Sequence, residues 1–505
     1  MTDNKKDSRP RIQSPSIHRR QDMPSNRLRL MRDTCRTIIL ALALAFSTTV
    51  LARAQEPPDA SKNKERVEGI NVSIINAFTI DDQAFEWNWG AWDQEKIISF
   101  GQFQYTVYWA KDGSLAIGRR NLDSNETQHI YLSQYKLSKN DRHRNTCLGV
   151  SRDDGRLHVS FDHHNDPLRY LKSKADFLTH PPAVMTADDF EAAQPMLDDP
   201  ALEESVTYPR FIMDRDGILF FYYRNGGSGN GDNFLHRYDP ASGTWTRIGM
   251  VASRRGTYPD WETSTSRNAY FQDIRFDDNN RLHAIWVYRE TSRTWASNHD
   301  LHYAFSDDRG ITWKNNQGDQ IADLPNGDPI ELSDPGLVVV DIPVYSWLMN
   351  AGPMNFDSQN RPHLVTYKAR EVQTREPVVH DPSQKVLDQL VFVHYWRDDD
   401  GTFRGGAAIP PDQDGVCRGD LVFDADDNLI YFYPTPAGIK YYWSAADDQW
   451  KTFHGPYALT HSEFTAPQRN STKHDIVRWK TQGILSFTAQ PQSGGFAILD
   501  FKIEK

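Results

Sequence analysis

The chain has 505 residues, with 57 Lys+Arg against 68 Asp+Glu and a formal net charge of −11. An acidic balance of this size excludes a duplex nucleic-acid binder, which needs a basic face; 38% hydrophobic and 25% charged residues exclude a wholly disordered chain. The charge is unevenly spread, because residues 1–54 hold 11 basic and 4 acidic side chains, which leaves the remainder near −18.

At the N-terminus, Arg32 and Arg36 precede the apolar run Ile38–Phe46, and small residues follow as far as Ala52-Arg53-Ala54. That order predicts a secretory signal peptide over 1–54, cleaved after Ala54, with Met23 or Met31 as alternative starts. A membrane anchor is the rival reading, but the apolar run is short for a span. The expectation is a secreted or periplasmic protein, with a flexible leader over 55–66 and a single domain over 67–505, off the membrane once the signal is removed. Cys35 lies in the signal, so Cys147 and Cys417 remain, and a disulfide, two buried thiols or a thiol in a metal site are all open.

Aromatic residues make up 12% of the chain, and short Val/Ile/Phe/Tyr runs alternate with Asp/Asn/Gly turns, the composition of an all-β protein. Residues Ala187–Leu197 read as a short helix or an inserted loop. One pattern recurs seven times: an apolar residue, a polar turn and an alternating strand. The turns centre on Gly113, Gly155, Gly217, Asn280, Asn360, Asp427 and Gly483, about 62 residues apart on average. Each copy reads as a hairpin whose turn needs left-handed backbone angles. The step is too long for a solenoid rung and suits a propeller blade, so the expected fold is all-β, a seven-bladed β-propeller with four-stranded antiparallel blades.

Propellers bind ligands where loops converge at one end of the channel. Asp141-Arg-His143-Arg-Asn145 leads into a strand, and the next strand ends Phe161-Asp-His163-His164-Asn-Asp-Pro. His163 continues the parity of Leu157, Val159 and Phe161, while His164 points the other way. His143 and His163 are therefore expected at neighbouring strand ends. Tyr208 opens the next hairpin, and Arg224 ends its returning strand before a glycine-rich turn that permits close approach of a ligand. Taken singly, these are ordinary residues. Two histidines, a tyrosine and an arginine at the ends of adjacent hairpins make a candidate site, with Arg210, Asn145 and Tyr270 as candidate substrate contacts.

At these residues the sequence resembles the BNR-4 group of secreted β-propellers, and is most similar to polysaccharide lyases of families 24 and 25, the ulvan lyases. The carrying segments are His143, Leu157–Tyr170, Tyr208-Pro-Arg-Phe and Tyr223–Gly229, together with Ser306-Asp-Asp-Arg-Gly-Ile-Thr-Trp313, which matches the Asp-box pattern S-x-D-x-G-x-T-W. The resemblance implies β-elimination beside a uronic acid in an anionic, ulvan-like rhamnose–uronate polysaccharide. It maps the catalytic set onto His143, His163, Tyr208 and Arg224. Arg224 would neutralise the uronate carboxylate, and the other three would move protons. Related propellers carry structural zinc or calcium; His283, His299 and Cys417 are the candidate ligands here, and the chemistry itself requires no cofactor. A monomer is expected. A sialidase-type hydrolase and a non-catalytic carbohydrate-binding propeller are the rival readings.

Overall fold

The seven turn positions marked by the repeat all have left-handed backbone angles, with φ between 58° and 90°. Around them the chain folds into seven antiparallel sheets arranged in a ring, a seven-bladed β-propeller. The computed structural model describes residues 69–504, apart from 86–87, 89–94, 374–381, 436–437, 460–463, 466–472 and 492. The expected signal peptide and leader lie outside the described residues. No described helix is long and apolar enough to cross a membrane.

Successive inner strands are Ile97–Phe100, Thr146–Ser151, Val206–Met213, Asn268–Phe276, Met354–Phe356 and Asp420–Phe423, each packed on the next. The seventh place is taken by Lys473-His474-Asp475. His474 Nδ1 lies 2.6 Å from Asp420 of the sixth blade, and Asp475 accepts from Ser99 Oγ at 2.6 Å in the first. The ring is closed by pairing strand Asn71–Asp81 against Phe496–Glu504, with Asn71 opposite Glu504 and Asp81 opposite Phe496. Apolar clusters fill the spaces between sheets, where alternate strand positions from neighbouring blades meet.

Three features depart from the expected pattern. The blades hold three to six strands, because the second lacks a regular outer strand and the fourth adds extra ones. Gly113 turns the second hairpin of the first blade, and the turn next to its inner strand is made by Gly101 (φ 58°). The seventh copy is a helix, Ile476–Gln482, capped by Asp475 and ended by Gly483 in the left-handed conformation. Its turn glycine was legible; its helical approach was not. Ala187–Leu197, expected as a short helix or an inserted loop, is an irregular connection with one helical turn at Ala187–Asp189, after which Phe190 and Gln194 bridge to Ser173 and Tyr170. Cys147 and Cys417 are buried thiols and are not joined in a disulfide.

The Asp box behaves as a structural device. Ser306 Oγ donates to Asp308 (2.7 Å), Asp308 accepts from Thr312 N–H (2.9 Å), Gly310 has φ 87°, and Trp313 is fully buried between sheets.

Candidate functional site

A cavity of about 990 Å³ opens at one mouth of the channel, and its wall includes His143, His164, Tyr208, Tyr270, Arg289 and Arg418. The histidines enter from two segments that a buried arginine holds together. Arg144 donates to Asp162 (3.1 Å) and pairs with Asp166 (2.6 Å), so the segment before the second inner strand is tied to the segment after its partner. Asp141 then spans the two rings. One carboxylate oxygen is 2.6 Å from His143 Nδ1, and the other is 2.6 Å from His164 Nδ1. The imidazoles stack with centroids 4.3 Å apart. Burial pushes Asp141 up, but its hydrogen bonds from the His143 backbone N–H and from both rings hold it well below the usual carboxylate range. Burial, and then the neighbouring His164, depress His143.

His163 does not reach this cavity. Its side chain continues the strand parity as expected, but that parity leads into the core. The residue is 1% exposed, and Nε2 accepts from Arg169 N–H at 2.7 Å. Burial pushes it down to about 3, so it is held neutral. Asp162, with φ 66°, turns the chain just before it, and His164 emerges on the cavity side in a short strand paired with Thr207.

Tyr208 owes its position to a bulge. Thr207 pairs with Arg224 and Arg210 with Tyr222, so Tyr208 and Pro209 together face one residue of the partner strand. Tyr208 has φ 54°, a strained angle for a tyrosine, and is held there by packing. Its ring lies 6.2 Å from that of His143 and 6.2 Å from that of Tyr270. Behind the two phenols, Arg224 places its guanidinium carbon 5.0 Å from the Tyr208 ring and 5.3 Å from the Tyr270 ring. Arg224 is 2% exposed, its Nε donates to Gly226 O (2.9 Å), and its Nη1 has no hydrogen-bond partner among the described residues. Arg289 flanks Tyr270 from the other side, with Nη1 3.5 Å from the phenol oxygen. Burial raises the Tyr270 phenol, but the two guanidiniums overcome it and pull it down to about 8. Tyr208 goes the opposite way, raised by burial and by Tyr270 beside it.

Arg289, Arg370 and Arg418, which sequence reasoning missed, are cations on the wall itself, and Arg289 and Arg418 lie nearest the phenols and imidazoles in its electrostatics. Neither Arg289 nor Arg418 has a carboxylate partner among the described residues; Arg289 donates to Thr294 O (3.3 Å) and Arg418 to Asn350 O (3.0 Å). Their only signal in the sequence was position near a strand end or loop, which many arginines share.

The other candidates fall elsewhere. Arg210 lies outside this cavity, in the channel, with Nη2 2.6 Å from Glu95 and Nη1 2.6 Å from Asp273. Asn145 is buried behind the cavity and does not line it. Cys417 lines the cavity, whereas His283 bonds Tyr303 and Asp277, and His299 bonds Asp300 and Glu290. Those three residues occupy separate settings and make no common metal site. The grouping of metal-ligating side chains that the described residues do present is Asp141, His143 and His164.

A ring of seven antiparallel sheets defines a β-propeller, here with a polar cavity that carries arginines and imidazoles on its wall. Residues 103–407 match the family model described as BNR repeat-containing family member, and the chain belongs to that family. It is 26% identical over 231 residues to the long isoform of ulvan lyase from Alteromonas sp. (strain LOR), which is 39% of this chain and 22% of that protein. The same identity holds over 238 residues with the long-isoform ulvan lyase of Glaciecola sp. (strain KUL10). The matched region thus spans about a fifth of the length of these relatives. Among solved structures, the polysaccharide lyase Uly1 superposes with a TM-score of 0.65 at 13% identity, over 85% of this chain and 99% of that one. A PL25 ulvan lyase bound to -[GlcA(1-4)Rha3S]- gives 0.57 at 14% identity, over 83% and 94%. At these identities the structural likeness concerns the fold.

Proposed function

We propose that the chain is a polysaccharide lyase that cleaves a uronic-acid-containing, rhamnose–uronate polymer by β-elimination, with ulvan as the first substrate to test. The observation that carries this reading is the Tyr208–Tyr270 pair set between Arg224 and Arg289 and facing two imidazoles across one cavity. Elimination needs three things: removal of the C5 proton, stabilisation of the enolate-like charge on the carboxylate, and a proton for the departing C4 oxygen. Tyr270, the more acidic phenol, supplies a phenolate base at mildly alkaline pH. Arg289 and Arg418 receive the carboxylate at the wall, while Arg224 sustains the phenolate from behind. His143 and His164 present their Nε2 edges, the side away from Asp141; a ring that has taken up a proton there passes it to the leaving oxygen. Half-buried Trp295 offers a stacking face for a sugar ring on the same wall. The ulvan lyase relatives support the substrate class.

The test is incubation of the purified protein with a panel of uronate polysaccharides. New ultraviolet absorbance from a C4–C5 double bond, appearing with chain shortening, is expected. Chain shortening without that absorbance would identify a hydrolase instead, and tight binding without cleavage would identify a carbohydrate-binding propeller.

A further inference from the structure

We infer that Asp141, His143 and His164 form a binding site for a divalent first-row transition ion of the zinc class, and that occupancy switches the cavity off by removing its imidazole proton acceptors. The ligating atoms are two Nδ1 nitrogens and a carboxylate, all within 4.8 Å of one another. The side chains are 35%, 30% and 27% exposed for His143, His164 and Asp141, so an ion can reach them from solvent. Zinc takes histidine nitrogen and carboxylate oxygen at about 2.0–2.2 Å and leaves a fourth position for water. Two imidazoles with one carboxylate also suit iron(II) and nickel, but not calcium or magnesium, which prefer oxygen donors.

The switch follows from tautomers. Without an ion, each ring donates Nδ1–H to one oxygen of Asp141, and its Nε2 lone pair faces the cavity. An ion at the two Nδ1 atoms forces the proton of each neutral ring onto Nε2. The protons exchange through solvent, so neutral rings release none. Both rings then show the cavity the N–H of a neutral imidazole, a far weaker acid than imidazolium, and cannot take up the proton that the leaving oxygen needs. Asp141 thus chooses between holding two N–H groups and sharing a metal with the same two rings. The inhibitory half of this inference rests on the proposed lyase reading; the binding half does not.

The experiment uses tag-free, metal-stripped full chain. Cobalt(II) is titrated and followed by its visible ligand-field bands, then zinc(II), iron(II) and nickel(II) by competition, and the zinc-loaded protein is examined by X-ray absorption. One ion per chain, with two nitrogen donors and one carboxylate oxygen in its first shell, is expected, and His164→Gln and Asp141→Asn should each weaken binding about tenfold or more. Absence of binding at millimolar cobalt, binding unchanged in both variants, or a first shell lacking two imidazoles would each overturn the site. If a variant fails to fold, the absorption spectrum of the parent protein decides alone. In parallel, cleavage of a uronate polymer should fall about a hundredfold as zinc saturates and return with a chelator. Full activity at saturating zinc would overturn the switch and leave the site standing. Absence of cleavage by metal-free protein on every polymer would overturn the lyase reading and, with it, the inhibitory half.

Discussion

Arg210 and Arg224 stand on adjacent strands of one blade and are 5% and 2% exposed, yet their surroundings differ in kind. Arg210 is saturated. Glu95 of the first blade and Asp273 of the fourth hold it, and Lys473 lies 3.6 Å from Asp273 and 3.9 Å from Asp420, extending the network to the sixth and seventh blades. Arg224 has no carboxylate partner among the described residues and spends its charge on two phenols. A buried charge without a counter-ion is costly, so a fold that keeps one is using its field. The first arginine joins blades at the centre of the channel; the second sets the acidity of a tyrosine at its mouth.

Single substitutions at the two arginines and their partners should separate stability from activity. The largest effect is expected from Tyr270→Phe, which keeps the ring but removes the phenol. Cleavage should drop by about a thousandfold, within the usual range for a general base, with thermal unfolding unchanged. Arg210→Met should do the reverse. It leaves Glu95 and Asp273 buried without their partner, so denaturant titration should show a loss of about 3–5 kcal/mol, while cleavage well below the unfolding temperature persists.

The pH profile gives a third, smaller handle. With Tyr270 at about 8, the phenol is protonated below that value, so the rate should climb with pH through about 8 and level off above it. Arg224→Met should move that limb upward, because one of the two opposing guanidiniums is gone. The same group contributes stability above the unfolded phenol value near 10 that is lost as pH falls through about 8. The smallest effect is expected at a site remote from both arginines: Ser306→Ala in the Asp box should cost about 1 kcal/mol in an unfolding titration and nothing in cleavage.

The turns were the most legible part of the sequence, since a position such as Asn280 or Gly217 declares a left-handed angle by residue type alone. The histidine pair was legible only to within one residue. Parity counting placed His163 on the side of Leu157, Val159 and Phe161, and that side faces the core, so the next residue, His164, lines the cavity. Tyr208 was found for its place at a strand start, but the bulge that turns it into the cavity has no composition of its own. Arg289 and Arg418 were invisible because what distinguishes them is the lack of a carboxylate neighbour, a property of the assembled ring rather than of any segment.

The pairing of Asn71–Asp81 with Phe496–Glu504 has a kinetic consequence. The earliest described strand waits for a partner more than 400 positions downstream, so the ring stays open on the ribosome until residue 504 has emerged. Until then the seventh sheet presents a bare edge, the kind of surface on which chains join one another. Yield of the native protein should therefore depend more on how quickly those last ten or so residues find their mate than on the strength of any one blade.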